Sequence, residues 1–180
     1  DLGYKSGEVV FLVGGPPCQA FSQIGKQQSL LDERGLLLFQ MIRYAKVIQP
    51  RAIMIEQVKG LLNAKDLLGK RGGVFEQFIK ELEELDYVPK WRIMLAADYG
   101  VAQLRERVFI VATKKPNGFQ FPNPTHSKPS KTINLFNLPP YRTVGDVIGC
   151  LGEPVAKTDT QEIPDNSHYD VTPRRDKERI

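Results

Sequence analysis

One thiol stands out among the groups in this sequence that could do chemistry. Cys18 follows five apolar residues (9–13), the pair Gly14-Gly15 and the pair Pro16-Pro17. The apolar run reads as a buried strand and the glycines as a sharp turn at its end. The two prolines fix the backbone φ angle and remove two N–H donors, so the thiol is presented on a stiff loop. A cysteine just past the C-terminal end of a buried strand lies where open α/β sheets place their ligands. Cys18 is therefore a candidate nucleophile. The thiolate is the attacking form, and neighbouring positive charge favours it, which makes Arg105 and Arg107 of interest. From this stretch alone a structural role stays open, because a free cysteine also behaves as a small hydrophobe. Taken singly, Glu56 reads as an acid at a strand end, and the two arginines read as surface charges of a hairpin.

The elements that must position these groups follow from periodicity. From Gly35, the apolar residues Leu36, Leu37, Phe39, Met41, Ile42 and Ala45 fit a helix buried along one broad face and ended at Gln49-Pro50. Residues 52–55 form a second continuous apolar run, stopping at Glu56. Strand, helix and strand describe a βαβ unit with a parallel sheet, which would set Cys18 and Glu56 side by side at one edge. Residues 60–73, with four glycines and several cations, read as a loop. Residues 74–85 carry apolar side chains at 74, 75, 78, 79, 82 and 85, the pattern of an amphipathic helix with a solvated glutamate face. Residues 91–97 and 108–113 are strand-like and too close in sequence for a crossover helix. They are expected to pair antiparallel at the sheet edge through an elaborated turn.

Residues 118–140, rich in Pro, Asn and Ser, mark a long surface connection, and His126 within it has no partner at metal-ligand spacing. Residues 143–148 suggest a short helix capped by Thr143. Cys150 is expected to pack inside, and the charged run 159–180 to form an exposed helix. The polar run 23–33, with Gly25, Lys26 and Gly35 at or near its ends, is compatible with a surface loop or with a lid closing beside Cys18.

A chain of 180 residues with 41% hydrophobic side chains can bury a core of its own. No apolar run approaches membrane-spanning length, and two cysteines far apart make no disulfide framework. A soluble protein of a reducing cytoplasm is the expectation. The net charge of +4 leans only mildly toward polyanions, and no third of the chain is markedly basic. Any contact with DNA must come from folded placement of cations.

Four blocks, in order, resemble the carbon-5 cytosine DNA methyltransferases. GGPPCQAFS is similar to that family's nucleophile motif. Asp32-Glu33-Arg34-Gly35 resembles the D-x-R-G that closes its mobile catalytic loop, and IMIEQV (53–58) resembles the strand ending in E-N-V. DYGVAQLRERVFIV (98–111) resembles D-Y-G-x-x-Q-x-R-x-R followed by a strand. The resemblance covers roughly residues 8–115 and implies a partial Rossmann-like, S-adenosylmethionine-dependent α/β fold. That fold would have parallel strands with crossover helices and a C-terminal antiparallel hairpin. Residues 1–115 would be the C-terminal half of the catalytic domain, and 116–180 the connection leading to target recognition.

The resemblance also implies roles. Cys18 would add to carbon 6 of a cytosine flipped out of double-stranded DNA, and Glu56 would bond ring nitrogen 3 and the exocyclic amine. Arg107 would contact the carbonyl oxygen, with Arg105 and Gln103 bracing the site or touching phosphate. Gln19, Ser22, Lys26 and Arg34 would hold the DNA backbone. Pro17 and Leu37 would neighbour S-adenosylmethionine, whose main glycine-rich element, F-x-G-x-G, would precede this sequence. On this reading the chain alone lacks tight cofactor binding and is catalytically incompetent. It would belong to a bacterial restriction–modification enzyme, or else be a split subunit or an inactive DNA-binding homologue. An exposed sheet edge would favour a complementary subunit or a homodimer. Two departures from the family pattern are Gln57, where Asn is usual, and Ala102, where Pro is common. A thiol hydrolase using Cys18 with His126 or His168 is the remaining alternative.

Overall fold

Alternation along residues 52–57 builds the centre of the sheet. In the computed structural model, which describes residues 3, 5–17, 33–114, 118–129, 138–151, 155–156 and 169–170, this segment is strand β2, Ala52–Gln57. Ile53, Ile55 and Gln57 are buried on one face, while Ala52, Met54 and Glu56 point to the other, as the period of two requires. Strand β1, Phe11–Gly14, runs parallel to it with Gly14 opposite Ile55. Helix α1, Glu33–Ile48, lies between the two in sequence, so the predicted βαβ unit is present. Gln49 takes a positive φ of 47° and Pro50 follows, which stops α1 and turns the chain into β2.

Strands β3, Tyr87–Leu95, and β4, Glu106–Lys114, pair antiparallel as expected, but only β3 lies at the edge. The four-stranded order is β1-β2-β4-β3, with β4 antiparallel to β2. Helix α2, Gly73–Glu84, leads directly into β3 through Asp86, whose φ is 62°. Both helices cover the same face. Leu38, Ile42 and Ala45 of α1 and Val74, Phe78 and Leu82 of α2 pack on Ile53, Ile55, Val108 and Ile110. Phe78 meets Phe39 edge-on at 5.8 Å, and Phe75 meets Trp91 at 5.2 Å. Tyr87 closes the far end of this core, its hydroxyl donating to the Pro50 carbonyl at 2.6 Å. Met41 reaches across to Gly14, where a Cβ would stand 2.6 Å from its Cε, so α1 approaches β1 closely because residue 14 has no side chain.

The opposite face holds an apolar cavity of about 330 Å³ between Phe11, Met54, Phe109 and Val111 of the sheet and Phe119 and Phe121 of the connection. That connection is more ordered than a surface loop. Its carbonyls at Phe119 and Pro122 accept from Lys90 Nζ at 2.7 Å and Arg92 Nη1 at 3.2 Å, which strap it along β3.

Three expectations need correction. Cys150 is exposed rather than packed, because helix α3, Val144–Ile148, has no buried residue. Within the run 159–180, Tyr169–Asp170 is not helical but forms strand β6, pairing with β5, Val155–Ala156. The remainder of that run lies outside the described residues. The loop 60–73 contains a 3₁₀ helix, Lys59–Asn63, and a tight turn in which the Asp66 carboxylate accepts from the N–H groups of Leu68 and Lys70. The cap of α3 matches its prediction. Thr143 and Asp146 form a reciprocal capping box, and the Thr143 hydrogen bonds hold the Asp146 carboxyl below its usual range. No helix among the described residues is long and apolar enough to cross a membrane.

Candidate active site

Glu56 and Arg107 come together because of strand register. Glu56 stands opposite Phe109 across the β2–β4 ladder, and Arg107 lies two residues further along β4 on the same face. The guanidinium therefore lies diagonally beside the carboxylate, with Nε 2.9 Å from Glu56 Oε1. Arg107 Nη1 donates to the Glu106 carbonyl at 2.8 Å, so two of its nitrogens are committed and the plane of the group is set. Arg105 is a looser neighbour, Nη2 lying 3.9 Å from the same oxygen. Arg107 is 23% exposed, Glu56 36% and Arg105 49%, which places the trio at a partly solvated sheet edge.

The diproline turn comes to the same edge. A Cβ on Gly15 would lie 3.8 Å from Glu56 Oε2, so the second carboxylate oxygen faces the turn while the first faces Arg107. Gln57, next along β2, is buried and sends its amide to this turn. Nε2 donates to the Pro16 carbonyl at 2.7 Å, and Oε1 accepts from the Val58 N–H at 3.1 Å. The glutamine at this position thus connects β2 to the turn that leads to Cys18. Its extra methylene, read from the sequence as a departure, does not prevent that contact.

The turn between β3 and β4 is held from outside by the connection. After the 3₁₀ helix Ala96–Tyr99, Gly100 takes φ +84°, a left-handed conformation suited to glycine. The His126 ring covers it, with Cε1 2.7 Å from where a Cβ would be. The backbone N–H groups of Thr125 and His126 both donate to the Asp98 carbonyl, at 2.8 and 2.9 Å. Tyr141 donates to Asp98 Oδ1, and that bond raises the phenol above its usual range. Ala96 N–H to Arg105 carbonyl at 3.0 Å closes the base of the turn, even though Ala102 stands where proline is common in the resembled family. Lys59 Nζ bonds Glu106 at 3.0 Å and joins the segment after β2 to the start of β4.

The predicted residues divide as follows. Glu56, Arg105 and Arg107 converge, Gln103 lies in the adjoining turn, and Pro17 is exposed at the end of the described diproline turn. Leu37 is 41% exposed near the start of α1, and Arg34 lies in that helix's first turn. Cys18, Gln19, Ser22 and Lys26, together with the expected lid, lie outside the described residues. His126 is part of the clasp on Gly100, its Nδ1 2.9 Å from Thr125 Oγ1; His168 lies outside the described residues. Sequence reasoning missed the roles of Asp98, Tyr141 and Thr125. Their contacts span 27 to 43 positions, and no local pattern announces them.

Pro17 and Leu37 offer accessible apolar surface to a cofactor, and neither side chain can bond its polar groups. They fit S-adenosylmethionine as apolar contacts only. Among the described residues no group of three or more His, Cys, Asp or Glu side chains could hold a metal ion.

Residues 3–179 match the model of the family described as C-5 cytosine-specific DNA methylase. The type II methyltransferase M.AquIA of Picosynechococcus is 38% identical over 80% of this chain and 61% of its own length. M.NgoMIV of Neisseria gonorrhoeae, also a type II methyltransferase, is 46% identical over 71% of this chain and 40% of its own. This chain thus spans only about two fifths to three fifths of these relatives. Among solved structures, a protein described as a DNA modification methyltransferase of an E. coli prophage superimposes with a TM-score of 0.53 at 23% identity, over 77% of this chain and 34% of that one. The Entamoeba histolytica methyltransferase EhMeth gives 0.51 at 19%, over 69% and 40%. Both share the mixed α/β fold.

Proposed function

Because the chain belongs to the C-5 cytosine-specific DNA methylase family, we propose that it forms the catalytic-loop part of a DNA (cytosine-5-)-methyltransferase from a type II restriction–modification system. The observation that carries this reading is the meeting of Glu56 and Arg107 beside the diproline turn that leads to Cys18.

Carbon 5 of cytosine is a weak nucleophile. Addition of the Cys18 thiolate to carbon 6 breaks the ring conjugation and forms the carbon–sulfur bond. The displaced electron pair moves toward nitrogen 3, where Glu56 delivers a proton, and toward the carbonyl oxygen, which Arg107 faces. The resulting enamine makes carbon 5 nucleophilic. S-adenosylmethionine, when bound, supplies the methyl group at that carbon. Loss of the carbon 5 proton then expels the thiolate and restores the ring. The contact between Arg107 Nε and Glu56 keeps the two groups in one plane, and Nη2 has no partner among the described residues. Arg105, about half exposed, adds positive charge at the same edge and favours the thiolate.

The target carbon lies inside the base stack, so the cytosine is flipped into the site. Gln19, Ser22, Lys26, Arg34 and Gln103 bear on the DNA backbone and position it without reading sequence. Residues 1–115 do the chemistry, and 116–180 lead toward target recognition. By itself this chain binds S-adenosylmethionine weakly, since Pro17 and Leu37 offer only apolar contact; micromolar affinity in a calorimetric titration would contradict that. Val10, Phe11 and Val13 stay exposed along β1, the outer strand of the sheet, which supports pairing of that edge with further polypeptide. A monodisperse monomer at high concentration would count against such pairing. Work on DNA places the protein in the cytoplasm, with the nucleoid.

The test is covalent trapping. The intact enzyme containing this chain, incubated with DNA carrying 5-fluorocytosine and the methyl donor, should form an adduct that survives denaturation and disappears in Cys18→Ala. An adduct undiminished in that variant, or none with the unsubstituted protein, would overturn the mechanism.

A further inference from the structure

Gln57 is the one buried polar side chain in the core of the described residues, only 1% exposed. It sits on the helix-covered face of β2, in line with Ile53 and Ile55. Burying a carboxamide is unfavourable unless both its ends are bonded. Here both are, through Nε2 to the Pro16 carbonyl and Oε1 from the Val58 N–H. The pair also fixes which way the amide points. Turned over, it would set oxygen against the Pro16 oxygen and NH₂ against the Val58 N–H.

The partner at the far end is as constrained as the glutamine. Neither Pro16 nor Pro17 has an N–H, so two successive residues of the turn have no backbone donor with which to tie to the sheet. A side-chain donor reaching the Pro16 carbonyl supplies that tie. Glu56, the residue next to Gln57, faces the same turn at Gly15. One strand end therefore carries a group facing the turn and, on its other face, the group that holds the turn.

We propose that Gln57 is a positioning residue for the thiol. Its amide sets where the Pro16 carbonyl stands, and with it the entry of the Cys18 loop relative to Glu56. The inference rests on the reading of Cys18 as nucleophile. It is also specific for length. Asparagine is shorter by one carbon–carbon bond, which would place its amide nitrogen about 4 Å from the Pro16 oxygen, beyond hydrogen-bond reach.

The experiment measures the single-turnover rate of adduct formation by the intact enzyme on 5-fluorocytosine DNA, together with DNA affinity, for the unsubstituted protein, Gln57→Met and Gln57→Asn. Methionine keeps the length and apolar body and removes both hydrogen bonds. The rate should fall on the order of 100-fold in Gln57→Met, the size of effect that a displacement of about 1 Å produces at a reacting centre. DNA affinity should stay within about twofold, so that the loss lies in the chemical step. Gln57→Asn should also be slow. A rate within about threefold of the unsubstituted protein in folded Gln57→Met would overturn the proposal. Should Gln57→Met fail to fold, Gln57→Asn decides: a normal rate refutes the tether, and a slow one with intact DNA binding supports it. Absence of any adduct in the unsubstituted protein would instead remove the nucleophile reading beneath it.

Discussion

Replacing Arg107 separates a structural ion pair from a group that works on the substrate. The guanidinium is about a quarter exposed and its carboxylate partner about a third, so solvent screens their attraction. A pair in that setting contributes about 0.5–1 kcal/mol to stability. At about 2–4 °C per kcal/mol for a chain of this size, Arg107→Ala should lower the melting temperature by up to about 4 °C. Activity should respond far more strongly. If Arg107 faces charge that develops on the cytosine carbonyl, its removal should lower kcat by about 10²–10³, the usual consequence of losing one such donor. Arg107→Lys should not restore the rate, because a single ammonium cannot bond both Glu56 Oε1 and the Glu106 carbonyl while facing the substrate. Arg105→Ala, from 3.9 Å, should cost less than Arg107→Ala. The assay is methyl transfer to cytosine-containing DNA by the intact enzyme, run beside thermal melts. Full activity in Arg107→Lys would refute the reasoning. So would a rate loss in Arg107→Ala that simply follows a collapse in stability.

Other substitutions test the scaffold. Phe78 is fully buried between the helices and the sheet; Phe78→Ala should destabilise by about 3–5 kcal/mol in urea titration, and a loss below 1 would mean the core is not packed as described. Gly100→Ala should cost about 1–2 kcal/mol for its left-handed backbone. The 2.7 Å approach to the His126 ring should add to that loss. Gly100→Ala combined with His126→Ala should lose less than the sum of the two, whereas strict additivity would show that the ring does not cover this turn. Burial pushes the Tyr87 phenol up to about 12. The unfolded chain loses that proton near pH 10 while the folded chain keeps it, so folding stability should fall between about pH 10 and 12, by on the order of 2 kcal/mol. Tyr87→Phe should remove this slope; an unchanged profile would mean that the phenol is not protected.

Much of the architecture was written locally. The alternation at 52–57 and the spacing at 74–85 place β2 and α2 because a side chain's face depends only on its position along one element. Gln49-Pro50 ends α1 for an equally local reason. The βαβ unit followed from two apolar runs flanking a helical one. The place of β4 did not. A hairpin pattern is satisfied whether its second strand ends the sheet or enters it, and only the pairing of Ile53 and Ile55 with Ala112 and Ile110 put β4 next to β2. The burial of Cys150 was misjudged for a related reason, since the apolar run around it resembles a core segment until one sees that no element covers α3.

The family was legible because four motifs kept their residue types and order, and residue type is what the chemistry of a thiol, a carboxyl and a guanidinium requires. Tertiary structure decided which of these groups meet. Glu56 and Arg107 are 51 positions apart in the chain, and the register of one antiparallel ladder brings them to 2.9 Å. Gln57 looked like a weakened asparagine until the fold brought the Pro16 carbonyl, 41 residues away, within 2.7 Å of its amide. The clasp of Asp98, Tyr141 and His126 had no signature at all, because carbonyls and N–H groups that every residue carries do most of the bonding. Sequence determines what each side chain can do and which way it faces along its own element; distances between elements are set only when the whole sheet closes on its helices.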